Sequence, residues 1–240
     1  MSGFNKADLQ KFERRMKSIV GRDVPEIQRL ALNDMAFAAL AENKVLMKRV
    51  FDKPTPFTLN SFYVEKATKE KLTAVLQRKD FQSGKHYLEV QQKGGRRKMG
   101  GFEKLLQRRT KYEGIIQSVL PTKALRRNKY GNISPGTLQR MLSGVRAQND
   151  AAQNTTAASR KRAGNRRAAY FIPRAGSNLS GGVYERRGKK IRKVLAFSDA
   201  VPSYSKRFPM EEHAEGVARD AAPESFNRAF ARVMKRSGPS

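Results

Sequence analysis

The sequence contains no cysteine and no tryptophan, and it has only two histidines. The lack of cysteine excludes a disulfide framework and any thiolate zinc site, and it fits an intracellular origin. The two imidazoles belong to His86 and His213, and neither stands in a spacing that places two metal ligands on one helical face. The sequence therefore predicts neither a metal site nor a cofactor.

Long apolar runs are also missing. The first six residues, Met1 to Lys6, lack the apolar run of about 7–15 residues that a signal peptide requires. Nowhere do about 18 apolar residues follow one another, which is the length that a membrane-spanning helix needs. We therefore expect no membrane span and no secretion through a signal peptide.

Acidic residues are scarce relative to basic ones. The chain has 50 Lys and Arg against 21 Asp and Glu, for a formal net charge of +29. Between Gly114 and Ser198 there are 18 Lys and Arg against only Asp150 and Glu185. A free small domain usually carries a net charge of about 2 to 8, so this excess predicts a polyanionic or macromolecular partner, with nucleic acid the first to consider.

Apolar residues make up 38% of the chain, below the roughly 45–50% that is usual for soluble globular proteins. The sequence therefore predicts a core of modest size. We expect extended and loop regions that become fully ordered only when neighbouring subunits supply further burial.

Motifs that carry catalysis are absent from the sequence. It has no GxSxG, no GxGxxG and no GxxxxGK[ST] string. The glycine-rich basic stretch from Gly84 to Gly101 is compatible with backbone approach to a phosphate, but a solvated hairpin tip or an inter-subunit loop is the favoured interpretation. Glu211 and Glu212 before His213 are typical of a helix start. We expect that the protein is not an enzyme.

Apolar spacing predicts helices at the N-terminus and a hairpin after them. The first helix carries Leu9, Phe12, Met16, Ile19 and Val20, and Gly21 is expected to stop it. A second helix of about 25 residues is predicted from Asp23 to Val50, with Pro25 in its first turn. Alternation from Phe62 to Gln77 then predicts two strands joined around Ala67–Lys71, although a helix starting at Thr68 is the alternative.

The second half of the chain predicts a sheet interrupted by a helix. A strand is expected to end at Pro121, and Ser134 with Pro135 caps a short helix. Residues 147–169 hold almost no large apolar side chain, so we expect a flexible basic insertion that is mobile in the isolated subunit. Residues 170–198 predict a β-meander. The last helical pattern is interrupted by Pro223, and its buried face is expected to carry Phe226, Phe230 and Val233.

These elements together predict an α+β fold. N-terminal helices are followed by a central antiparallel sheet with long basic loops and by a C-terminal amphipathic helix. The segments expected from this order are 1–53, 54–146, 147–169, 170–198 and 199–240.

Nine basic residues in three clusters are the candidate contacts to nucleic acid or to other subunits. The clusters are Arg126, Arg127 and Lys129 in a loop; Arg160, Lys161 and Arg162 in the insertion; and Arg187, Lys189 and Lys190 in a hairpin turn. Lys and Arg bind the DNA backbone without reading its sequence. They also pair with acidic protein surfaces, and the sequence leaves these two partners open.

The order of elements resembles the minor tail protein Z, or tail completion, family of long-tailed bacteriophages. The resemblance covers most of the chain as an order of elements, and its residue-level likeness is concentrated in 194–236. The segments that carry it are Asp23-Val24-Pro25, Val201-Pro202, Ala222-Pro223-Glu224 and Arg232-Val233-Met234-Lys235-Arg236. The basic loop Lys129–Asn132 and residues 147–168 have no counterpart in the family pattern.

The resemblance implies a structural protein of the virion, made in the host cytoplasm and placed where the tail meets the head. Its implied partners are neck and tail proteins on the portal or adaptor side and on the tail side, further copies of itself in a ring, and the backbone of double-stranded DNA. No enzymatic role is implied. The alternative is a stand-alone nucleic-acid-binding protein, such as a packaging or ribosome-associated factor, although the basic region lacks the aromatic pair of an RRM and any zinc knuckle.

Overall fold

The computed structural model describes residues 6–79, 87–110, 112, 115–164, 169–174 and 176–236. It confirms the α+β fold class. The helices are α1 (Lys6–Ser18), α2 (Val24–Val50), α3 (Pro56–Leu59), α4 (Glu89–Lys93), α5 (Gly101–Arg109), α6 (Pro135–Gly144), α7 (Ala157–Ala163) and α8 (Met210–Arg236). The strands are β1 (Phe62–Glu65), β2 (Val75–Arg78), β3 (Gly95–Arg96), β4 (Ser118–Pro121), β5 (Ala169–Phe171), β6 (Gly182–Arg187), β7 (Lys190–Ser198) and β8 (Ser203–Tyr204).

The chain divides into two compact units. Unit 1 comprises Met1–Gln92 with Arg207–Ser240, and unit 2 comprises Lys93–Lys206. Unit 2 is therefore an insertion in the chain of unit 1, a division that differs from the five segments expected from the sequence. None of the described helices is both long and apolar enough to cross a membrane.

Unit 1 is built around the long helices α2 and α8. Ile27 and Ala31 near the start of α2 pack with Ala229 and Val233 near the end of α8, so the two helices run in opposite directions. Alanine on both surfaces lets two helices approach closely. A second apolar cluster lies at the other end of the pair and contains Leu46, Met47, Phe62, Leu88, Phe208 and Met210.

The predicted hairpin of β1 and β2 is confirmed, with Phe62 opposite Arg78 in an antiparallel register. A buried asparagine fixes the hairpin to helix α2. The amide nitrogen of Asn33 donates to the carbonyl of Ala67 at 3.2 Å, and the Ala67 N–H donates to the Asn33 Oδ1 at 2.8 Å. The Asn33 side chain thus satisfies both the backbone N–H and the backbone C=O of Ala67.

Two expectations about helix ends were wrong. Gly21 does not stop the first helix, because a π-helical turn over Ile19–Asp23 continues α1 directly into α2. Pro223 does not interrupt the last helix either, since α8 is continuous with this proline inside it. Burial of α8 against α2 outweighs the loss of one backbone donor.

The buried face assigned to the C-terminal helix was also wrong for two of its three residues. Val233 is buried, but Phe226 is 49% exposed and Phe230 is 48% exposed. Their rings stack on each other with centroids 6.3 Å apart. The residues that face α2 are Ser225, Ala229 and Val233, which recur every four positions, and each phenylalanine lies one residue, or about 100°, further around the helix.

Helix α1 presents apolar side chains to solvent. Leu9, Phe12 and Met16, with Val20 in the π-helical turn that follows, recur at helical spacing as predicted, yet each is more than 40% exposed. The amphipathic pattern therefore identified the helix, although the apolar face is not part of a core within unit 1.

Unit 2 contains a four-stranded antiparallel sheet in the order β4-β7-β6-β5. The predicted β-meander is thus confirmed. Helices α5 and α6 contribute Leu106, Met141 and Leu142 to a core with Val183 and Leu195 of the sheet. At Gly182 the backbone φ is +156°, and a Cβ atom there would stand 2.2 Å from the Leu195 carbonyl oxygen, so the β6–β7 pairing requires glycine at this position.

The expected flexible insertion contains regular structure in its described part. A 3₁₀ turn covers Ala151–Gln153, and α7 follows with the Thr156 hydroxyl accepting from the Ser159 N–H. Ser143 on α6 binds the stretch between them, since its hydroxyl donates to the Gln153 carbonyl at 2.8 Å. Small polar residues order this segment through hydrogen bonds and caps, which a search for large apolar side chains does not detect.

Candidate basic interface

The positive charge of the protein is concentrated in unit 2. This unit has 27 Lys and Arg against five Asp and Glu, whereas unit 1 has 23 against 16. Of the net +29, unit 2 therefore carries +22. All nine candidate contact residues lie in unit 2, so the insertion is the basic part of the molecule.

The hairpin of β6 and β7 is the densest basic element of this unit. Six of the eight residues from Arg186 to Lys193 are Lys or Arg. Arg187 pairs with Lys190 across the end of the hairpin, and Gly188 makes the turn at a φ of +58°. The strands form because Val183, Val194 and Leu195 bury their side chains in the core, while the outer ends of both strands are exposed. The result is a two-stranded ribbon with exposed cations at its tip.

Two stacked aromatic rings lie between two cations on one face of the sheet near this ribbon. The Arg186 guanidinium lies over the Phe171 ring at 5.3 Å, and Phe171 stacks on Tyr184 at 5.8 Å. The Lys193 ammonium in turn lies 5.6 Å from the centre of the Tyr184 ring. These contacts fix two of the basic side chains of the hairpin and cover both rings with protein cations.

The loop that carries Arg126, Arg127 and Lys129 starts beside β7. The Thr122 hydroxyl donates to the Lys193 carbonyl at 2.6 Å, and the loop is then closed by Asn128, whose side chain accepts from the N–H groups of Tyr130 and Asn132 at 3.0 Å. Arg126, Arg127 and Lys129 are all exposed. This predicted cluster is therefore a structured surface loop.

The structure brings Arg160 and Arg187 together with a residue that the sequence interpretation did not select, Arg140. All three line one cleft of about 550 Å³ between α6, α7, β5 and β6. Glu185 and Tyr170 also line it. The other seven candidate residues do not line this cleft: Lys161 and Arg162 are exposed on α7, Lys189 and Lys190 are at the hairpin tip, and Arg126, Arg127 and Lys129 are in the loop.

Arg140 could have been found from the periodicity of α6. Met141 and Leu142 define the buried face of that helix, which leaves Arg140 at its margin. Its selection would still have required knowledge of which elements pack beside the helix. Tyr170 and Glu185 gave no such signal, because each stands in an ordinary strand pattern.

Glu185 and Tyr170 are two cleft residues whose electrostatic surroundings the structure defines. Glu185 is mostly buried and accepts from Arg192 at 2.9 Å, and Arg187 lies 4.0 Å away. Burial raises the pKa of the Tyr170 phenol, and the neighbouring Glu185 carboxylate raises it further, while Arg140 and Arg187 lower it. Because two arginines already surround Glu185, the cleft keeps a surplus of positive charge that suits an anionic ligand.

No family model matches the chain, and neither a curated protein nor a solved structure is significantly similar to it.

Proposed function

We propose that this protein is a structural component of a bacteriophage neck or tail that joins the head to the tail or completes that connection. In this proposal it acts in the virion as one subunit of a ring, between proteins of the portal or adaptor side and proteins of the tail side, and it lines the passage of the double-stranded genome. The family resemblance of the sequence supports this role, and it has no enzymatic step.

The observation that carries the proposal is the division of the chain into a basic unit and a helical unit. The inserted unit holds +22 of the net charge, which suits a surface beside DNA. The helical unit instead exposes apolar side chains on α1, together with the stacked pair Phe226 and Phe230 on α8. Apolar surface of this kind suits contacts to other subunits.

A stand-alone nucleic-acid-binding protein is the second candidate function. The observation that favours it is the exposed basic hairpin, since a two-stranded ribbon is one of the elements that enter the major groove of DNA. The exposed apolar residues of unit 1 are left without a role in this alternative, which is why we rank it second.

The proposal is tested by placing a stop codon early in the gene for this protein in a phage genome. We expect early termination of this chain to give DNA-filled heads and separate tails by negative-stain electron microscopy, with joined particles restored by a plasmid copy. Immunogold labelling of intact particles should place the protein at the neck or tail. Joined particles of normal number without the protein would overturn the proposal, and joined particles with reduced DNA content would favour the second candidate.

A further inference from the structure

The cleft lined by Arg140, Arg160 and Arg187 adjoins the basic hairpin, with which it shares Arg187, and neither the hairpin-tip lysines Lys189 and Lys190 nor the loop residues line it. It is lined by residues of α6, α7, β5 and β6 and of the segment that precedes α7, among them Arg140, Arg160, Tyr170, Glu185 and Arg187. Its volume of about 550 Å³ lies within the range of roughly 300–1,000 Å³ that is typical of ligand-binding clefts.

Two of the three arginines are held in place by neutral groups. The Arg160 guanidinium donates to the Gly144 carbonyl at 3.2 Å, and the Arg140 guanidinium donates to the Thr137 hydroxyl at 3.1 Å. Neither contact neutralises the positive charge. The carboxylate of Glu185 is engaged by Arg192 at 2.9 Å, so it leaves the charges of Arg140 and Arg160 uncompensated.

Several features argue against nucleic acid as the ligand of this cleft. A duplex presents its phosphates on a convex surface, which matches an exposed ribbon better than a recess between two helices and a sheet. Single strands are bound through aromatic platforms on which bases stack. Among the described residues that line the cleft Tyr170 is the one aromatic, and it is only 8% exposed.

An extended acidic peptide fits the same features. Guanidinium groups bind carboxylates through paired hydrogen bonds, and three arginines line this cleft. Gln153 and Asn154 also line the cleft, and their side-chain amide N–H groups suit the carbonyls of a peptide backbone. Strand β5 is at the edge of its sheet, but α6 packs against it, since a Cβ atom on Gly144 would stand 2.9 Å from the Tyr170 carbonyl oxygen. The peptide is therefore expected to be bound through the arginine side chains and not by addition of a strand.

We infer that this cleft binds an extended acidic segment of a partner protein through Arg140, Arg160 and Arg187. The binding itself follows from the cleft, whereas its assignment to a neighbouring virion subunit rests on the proposed function. Unit 2 would then use its basic residues on two surfaces, with the cleft binding protein carboxylates and the hairpin tip binding other anions.

The test measures binding of a fluorescein-labelled ten-residue peptide of alternating Glu and Ser to the full-length protein by fluorescence anisotropy. A peptide with Gln in place of Glu is the control ligand. We expect Arg140→Gln with Arg160→Gln to weaken binding of the acidic peptide about ten-fold or more, because these two exposed guanidinium groups line the same cleft and can pair with successive carboxylates of one peptide. The variant Lys189→Gln with Lys190→Gln removes the same charge from the hairpin tip and should change binding about two-fold or less.

A steric pair of variants separates the cleft from general charge. Ala163→Trp fills the cleft from α7 without changing charge, whereas Ala158→Trp places the same side chain on an exposed part of the same helix. Peptide binding should be lost in the first and kept in the second. Equal weakening by the two charge variants, equal behaviour of the two tryptophan variants, or equal binding of the Glu and Gln peptides would each overturn the inference. Competition for the cleft by a single-stranded oligonucleotide at a lower concentration than the peptide would also overturn it.

Because the titration uses purified protein and a synthetic peptide, it does not depend on particle assembly. If the cleft binds the peptide but phage particles assemble normally without the protein, the inference stands and the virion role is rejected. The reverse result would reject the inference and leave the virion role standing.

Discussion

At the scale of single residues, helix α2 contains two buried asparagines with opposite surroundings. Asn33 exchanges two hydrogen bonds with Ala67 in the hairpin turn. Asn43 is fully buried, and neither of its amide atoms has a hydrogen-bond partner within the described residues. The same substitution at the two positions should therefore have different effects on the free energy of unfolding.

We expect Asn33→Ala to lower the free energy of unfolding by about 2–4 kcal/mol, because the N–H and C=O of Ala67 lose their partner in a buried place. Asn43→Ala should lower it by less than about 1 kcal/mol, since it removes an amide that is costly to bury and introduces a better helix former. Chemical denaturation followed by circular dichroism measures both. Equal losses at the two positions would show that side-chain volume, and not hydrogen bonding, decides the outcome.

Tyr170 gives a pH dependence of stability. Its pKa in the folded protein is raised, chiefly by burial and also by Glu185. The folded state therefore holds the phenolic proton more tightly than the unfolded chain, whose tyrosines ionise near pH 10. The resulting stabilisation is fully present below that pH and is lost as the pH rises through the pKa of the folded state.

The variant Tyr170→Phe has no proton to lose at this position. Between about pH 8 and pH 11 its free energy of unfolding should fall less than that of the parent protein. Urea denaturation at a series of pH values measures the difference. Parallel pH profiles for the two proteins would contradict the assignment.

At the scale of elements, the largest side chains of the C-terminal helix are not its most buried ones. Val233→Ala should cost about 2 kcal/mol, because it removes two buried methyl groups at the contact with α2 and leaves a cavity. Phe230→Ala should cost less than about 1 kcal/mol, because the ring is half exposed and stacks on the equally exposed Phe226. Thermal denaturation of both variants gives the order, and a larger loss for Phe230→Ala would indicate that the ring is buried in an assembly or in the folded subunit.

Element positions were largely predictable from the sequence, whereas their partners were not. Spacing of apolar residues located α2, the hairpin of β1 and β2, and the strands β6 and β7, because each buries one regular face. It did not reveal that the helix continues through Gly21, since a continuous helix depends on backbone geometry and on burial elsewhere. Helix α7 escaped prediction because its order comes from Thr156, Ser143 and their hydrogen bonds.

The candidate site was predictable to the same extent. Runs of Lys and Arg identified the hairpin and the loop, because clustered charge is visible along the sequence. The cleft was not visible, because Arg140, Arg160 and Arg187 are far apart in sequence and meet only through the packing of α6 and α7 near the sheet. Local patterns thus located charged surfaces, and tertiary contacts were needed to locate a recess.

At the scale of the whole molecule, the charge of unit 2 predicts salt-dependent binding to double-stranded DNA. For about six phosphate contacts, the logarithm of the association constant should fall against the logarithm of salt concentration with a slope near −5. We expect Lys189→Gln with Lys190→Gln to make this slope shallower by about 2. The control is Lys11→Gln with Lys17→Gln, which removes the same charge from exposed positions on α1 in unit 1.

Filter binding of a duplex of arbitrary sequence at a series of salt concentrations measures the slope, and a second duplex of shuffled sequence should bind equally well. An unchanged slope in the hairpin variant, with unchanged affinity, would place the basic hairpin against protein instead of DNA. An equal change in the two variants would indicate attraction by net charge without a defined contact surface.

The ends of the inserted unit have a consequence for the chain entropy of unit 1. Strands β3 and β8 pair near the two ends of the insertion, with Gly95 opposite Tyr204, and the N–H groups of Arg207 and Phe208 both donate to the Gln91 carbonyl where unit 1 resumes. The segments that leave and re-enter unit 1 are therefore held side by side. When the insertion is folded, its ends are fixed side by side, and folding of unit 1 loses only the entropy of closing a connection as short as a tight turn. When the insertion is unfolded, folding of unit 1 loses the larger entropy of closing a long loop. Folding of the basic unit thus stabilises the helical unit through loop length, and a shortened or exchanged insertion with the same paired ends would preserve that effect.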